Sequence, residues 1–247
     1  MVSLRRTHIS PNMEFYEDPR FGAFDRATVF ALLCYVDLEL SQALGKPEFS
    51  TCTCHILYHP DNPMCSPFGK EEHLIYLSPQ DYYGGQWLYQ FAHEYCHHLI
   101  NGELTGEIVG LTWFEETICS LSSLYVLHKA SSQKWIQANS HLHRDILGRL
   151  EYLQQDMNIP GDTPLPIFLQ SKDNLLKEER YHRDLYKAIA AKMFPLFRKN
   201  PHLWKIILYF DDMKQRDSLT DLFQDLSKFV DSSYSDSFQK LQNLLIS

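Results

Sequence analysis

Residues 91–100 read FAHEYCHHLI, with His93 and His97 four apart and Glu94 directly after the first histidine. On a helix, residues i and i+4 lie one turn apart on one face, so two imidazole nitrogens can reach one metal ion. Glu94 is turned about 100° from His93 and stands beside that ion, not on it. A carboxylate placed there suits a general base acting on metal-activated water. Two ligands are too few for a zinc hydrolase, which normally uses three and keeps one position for solvent. WFEET, residues 113–117, supplies a third in Glu116, which follows His97 with eighteen residues between them. Those residues include Asn101, Gly102, Gly106 and Gly110, enough to end one helix, cross a loop and begin another. Thr112, Cys119, Ser120 and Ser123 on the Glu116 face are all small, which lets the second helix approach the first closely. Glu115 is the alternative ligand; otherwise it is a solvated carboxylate or one that supports a ligand.

HEYCH, followed by eighteen residues and the glutamate of WFEE, resembles the gluzincin zinc metallopeptidases, a superfamily that includes thermolysin-like and aminopeptidase-like enzymes. The resemblance covers about residues 72–130. It implies that His93, His97 and Glu116 bind one Zn2+ and that Glu94 is the catalytic base. It implies further that HLIYLS (73–78) is the sheet edge on which an extended peptide or protein substrate pairs. Such enzymes also supply a Tyr or His, roughly sixty-odd residues after the third ligand, to stabilise the tetrahedral oxyanion. ERYHRDLY (179–186) falls at that distance and makes Tyr181 and His182 the candidates. The chain departs from the pattern in three ways. Glu115 stands where these families often have Asn, Ser120 where they often have Asp, and the aminopeptidase GxMEN signature is absent. The expected function is zinc-dependent peptide hydrolysis. The alternatives are a gluzincin-like scaffold that binds a peptide or protein with little chemistry, and zinc hydrolysis of a non-peptide amide.

Other residues of ligand type read differently. Cys96 and Cys119 stand three residues after His93 and Glu116 and are expected to be buried thiols. The run Cys52, Cys54, His55, His59 and Cys65 invites a second metal site, but no paired CxxC knuckle completes it, so a single ion is expected. His98 is turned away from His97 and reads as a surface or supporting histidine, and His141 and His143 as surface residues.

The elements that must position these residues follow from periodicity and breakers. Val29, Leu33, Val36 and Leu40 predict a helix over 25–44, stopped by Gly45 and Pro47. FSTCTCHILYH (49–59) and EHLIYLS (72–78) read as strands that can pair, separated by the turn-rich PDNPMCSPFGK. Helices are expected over about 86–101 and 110–130, with Leu88, Ala92, Tyr95 and Leu99 lining the apolar face of the first and Phe114, Ile118, Leu121 and Tyr125 that of the second. Helices then follow over roughly 132–155, 172–198, 200–211, 217–230 and 234–245, while residues 1–23 read as irregular. The fold class is α+β: a small N-terminal β-sheet, zincin-like active-site helices and a mainly helical C-terminal half. The proline-rich IPGDTPLPIF (159–168) marks the expected boundary between a catalytic domain, 1–158, and a helical subdomain, 159–247.

Composition narrows the classes. A 247-residue chain with 44% hydrophobic and 13% aromatic residues can bury a sizeable core. A net charge of −8 without basic runs argues against nucleic acid. MVSLRRTHIS lacks a following apolar segment, and no run of about 18 apolar residues suggests a membrane span. A cytoplasmic location with six reduced cysteines is therefore expected.

Overall fold

A computed structural model describes residues 4–45, 52–69, 72–100, 111–156, 163–178, 182–210 and 218–247. The N-terminal part carries β1 (Arg5–Ser10), β2 (Met13–Glu17), α1 (Arg26–Leu44), β3 (Thr53–Tyr58), β4 (Met64–Pro67) and β5 (Glu72–Leu77). Then come α2 (Gly84–Ile100), α3 (Thr112–Ser131), α4 (Lys134–Ala138), α5 (Ser140–Asp156), α6 (Leu165–Ser171), α7 (Asp173–Glu178) and α8 (Arg183–Lys199). A 3-10 segment, Pro201–Tyr209, leads to α9 (Leu219–Leu226) and α10 (Ser235–Ile246). The molecule is α+β, with one small N-terminal sheet and helices elsewhere.

The sheet has the order β1-β2-β3-β5-β4. β2, β3 and β5 run parallel, while β1 and β4 close the two sides antiparallel. Side chains alternate across a strand. Met13, Cys54 and His73 therefore form one inward row, with Phe15, Ile56 and Ile75 the next. All six are buried against the helices. Glu14 and His55 point to the other face, where they meet at 3.0 Å.

Two expectations change here. Residues 5–17 are a β-hairpin, not irregular chain, and Met64–Pro67 is a strand, not a turn. β4 also takes the outer side of β5, so HLIYLS lies in the sheet interior and the edge is β4. A proline such as Pro67 is tolerated at such an edge, where a missing N–H costs no ladder bond.

α1 starts where Asp25 accepts from the Thr28 N–H and stops at Gly45, whose φ of 73° is left-handed. Val29, Leu33, Val36 and Leu40 are all buried, against α2, α3 and the 3-10 segment. Among the described residues α1 alone is long and apolar enough to cross a membrane by length and composition, and 56% of that apolar window is buried inside the molecule. A core helix passes the same test.

α2 begins with two glycines because α5 crosses directly over its first turn. The Asp145 carboxylate accepts from the Gly85 N–H at 2.6 Å, meeting a donor that the helix leaves orphaned. A Cβ on Gly85 would stand 3.0 Å from the Asp145 carbonyl oxygen and 3.0 Å from Cβ of Arg149. Neither atom can swing aside. Gly85→Ala is expected to lower stability by about 1–3 kcal/mol through overpacking. Urea unfolding checks this, and an unchanged midpoint would show that α5 gives way freely.

The expected helix over 132–155 is divided at Asn139, which leaves helical geometry and caps α5 by accepting from the Leu142 N–H at 3.1 Å. The expected helix over 200–211 is a 3-10 segment. Beyond the proline-rich stretch, α8 packs on α3, and Trp204 meets Tyr125 at a tilt and Phe197 edge to face. Phe210 and Phe223 meet Phe114 of α3. Helices on both sides of residues 159–168 thus contribute to one apolar core.

Candidate metal centre

α2 and α3 form the closest helix pair around the site. Hydroxyls on α3 donate to carbonyls of α2: Ser122 to Ala92 and Ser123 to Tyr89, each at 2.7 Å. Cys96 and Cys119, both fully buried, lie in the same seam. Side chains this small let the backbones approach until a carboxylate on α3 reaches the histidines of α2.

That approach brings His93, His97 and Glu116 together, with one ligand atom from each lying within 4.8 Å of the others. Nε2 of His93 is 3.2 Å from Glu116 Oε2, and Nε2 of His97 is 3.6 Å from Glu116 Oε1. The other ring nitrogen of His97, Nδ1, meets Glu115 Oε1 at 2.8 Å. An ionised carboxylate only accepts, so Nδ1 donates and Glu115 fixes the tautomer that leaves Nε2 facing Glu116. Glu115 is buried, 2% exposed, which excludes the solvated reading, and it is not among the three convergent groups. All three convergent residues keep partial access to solvent.

The electrostatics show what this cluster attracts. Burial disfavours charge on His97, but hydrogen bonds with Glu115 and Glu116 outweigh it and hold its pKa well above the usual imidazole value. Burial likewise opposes the Glu116 charge, yet hydrogen bonds from His93 and His97 pull its pKa below the usual carboxylate range. Two carboxylates around one imidazole call for a positive charge, and either a proton or a divalent cation at Nε2 supplies it. The donor set of two imidazoles and one carboxylate matches the three-ligand arrangement of catalytic zinc.

Glu94 is 4% exposed and lies beside the cluster. Burial raises its pKa above the ordinary carboxylate value, His93 and His97 pull it back down, and Glu116 adds to the rise. Tyr181 lies outside the described residues. His182 is half-buried at the start of α8. Its neighbour Arg183 is exposed, donates to Asn62 Oδ1 at 3.4 Å, and its charge helps to lower the pKa values of Glu94 and Tyr89. Arg183 went unnoticed in the sequence because nothing local ties α8 to α2. Tyr89 carried a usable signal, since it stands four residues before His93 on the same helix face.

His98 is 1% exposed and faces the sheet, so the surface reading fails for it. His141 is exposed as expected, while His143 is half-buried with Nε2 3.1 Å from the Ser131 carbonyl oxygen. All six cysteines are free thiols. Comparison with known protein families and with curated proteins finds no match to this chain.

Proposed function

We propose that this chain is a zinc-dependent metallopeptidase of gluzincin type, with His93, His97 and Glu116 holding the ion and Glu94 acting as base. The observation that carries the reading is the convergence of those three side chains, within 4.8 Å, beside a buried carboxylate. Zinc, when bound, polarises a carbonyl and lowers the pKa of water towards ~7. Glu94 takes the proton from the attacking water and delivers it to the leaving amine. Arg183 and His182 at the start of α8, and Tyr181 next to them in sequence, are the groups from which oxyanion stabilisation would come. An extended substrate would add to the free side of β4, next to α2, by backbone pairing. Six free thiols suit a reducing compartment such as the cytoplasm.

Glu115→Ala would leave the Nδ1–H of His97 without its buried acceptor and is expected to weaken zinc binding about 10–100-fold. Glu115→Gln keeps an acceptor and should lose less. Competition with a fluorescent chelator reads both; equal affinities in parent and Glu115→Ala would remove Glu115 from the site.

The activity itself is tested with a quenched-fluorescence peptide library. Cleavage should stop on adding 1,10-phenanthroline and return with Zn2+. Cleavage indifferent to the chelator would exclude the metallopeptidase. Peptide binding without turnover, equal in the parent and Glu94→Gln, would favour the scaffold reading.

A further inference from the structure

A second set of ligand-type side chains lies on the other side of α2. His97 and His98 are consecutive, so about 100° of helical rotation sends their rings apart. His97 turns to Glu115 and Glu116. His98 turns to the sheet, where its Nδ1 lies 2.9 Å from Nδ1 of His73 on β5. Cys52, two residues before Cys54 and just ahead of β3, comes in beside them. One ligand atom from each of Cys52, His73 and His98 lies within 4.8 Å of the other two. The three are 1%, 5% and 1% exposed, between sheet and helix.

We propose that Cys52, His73 and His98 bind a second transition-metal ion, Zn2+, that ties the sheet to the back of α2. One thiolate and two imidazoles are donors that zinc prefers. Donors bonded to tetrahedral zinc at about 2.0–2.3 Å stand roughly 3.3–3.8 Å apart, so the two facing imidazoles need to part by less than an ångström. An ion would engage all three groups at once. Such an ion would also fix the position of α2, and hence of His93 and His97, from behind. The site shares no atom with the His93, His97 and Glu116 cluster, so it stands whether or not that cluster is catalytic.

Co2+ titrated into metal-free, full-length protein tests this with a readout that the first site cannot give. A thiolate bound to Co2+ produces an intense charge-transfer band in the near ultraviolet; imidazole and carboxylate donors do not. The expected result is two equivalents bound, with the thiolate band saturating at one. Cys52→Ser should lose the band and one equivalent, while Glu116→Ala keeps the band. Single Ala replacements of Cys34, Cys54, Cys65, Cys96 and Cys119 should each keep it as well, which assigns the sulfur by elimination should Cys52→Ser fail to fold. A parent protein without the band, a band surviving in folded Cys52→Ser, or a band lost in any of those cysteine-to-Ala variants would each overturn the proposal. Failure of the first site alone appears as a single equivalent that carries the full band.

Discussion

Replacing Glu94 by Gln is expected to leave zinc content unchanged and to slow peptide hydrolysis by a factor of about 10²–10⁴, the usual contribution of a positioned general base. The side chain is buried beside the cluster but is not among the three that converge. Gln has nearly the same shape, so packing against α2's neighbours survives. What it removes is the only function that needs a carboxylate, accepting a proton from water and passing it on. Burial raises the pKa of Glu94 in the metal-free protein. Metal analysis and turnover, measured on the same preparation, check the prediction. Turnover equal to the parent would exclude Glu94 as the base; zinc lost along with turnover would mean that its role is structural.

The second large effect is expected from Glu116→Ala. It removes one of three protein donors and leaves the Nε2 atoms of His93 and His97 without the carboxylate they now face. Structural zinc sites of four ligands bind with roughly 10–16 kcal/mol, so one ligand is worth about 3 kcal/mol, or on the order of 10²-fold in affinity. Chelator competition measures it, with His93→Ala expected to lose a similar amount. A linked effect follows from His97. Its pKa in the metal-free protein lies well above the ordinary value, so zinc must displace a proton there. Parent affinity should therefore keep rising with pH beyond the ordinary imidazole range. Unchanged affinity in Glu116→Ala would leave the third ligand to some other residue.

Much of this site could be read from the chain before any coordinates. The helical period of Val29, Leu33, Val36 and Leu40 gave α1, and the HEYCH and WFEE segments placed both ligand helices within two residues of their observed bounds. The small residues of α3 signalled the close seam, which Ser122 and Ser123 make by hydrogen-bonding to α2. Local pattern failed where pairing is non-local. β1 is polar and largely exposed, and β4 contains a proline, so neither offers the alternation that marks a half-buried strand. The position of β5 inside the sheet depends on β4 folding back over it, and no residue of β5 records that. His98 was misread for a related reason. Rotation away from His97 means exposure only on a helix with a solvent face, and α2 is packed by the sheet, α1, α3 and α5. The run from Cys52 to Cys65 does not close on itself, because the strand sends His55 to the outer face. The histidines within 4.8 Å of Cys52 come from β5 and α2 instead.

Anomalous diffraction at the zinc edge, from crystals of the purified protein, tests the two-helix site most directly. A peak should lie about 2.0–2.2 Å from His93 Nε2, His97 Nε2 and a Glu116 carboxylate oxygen together, the spacing of zinc to nitrogen and oxygen donors. Crystals grown with zinc that give no peak among these three side chains would contradict it.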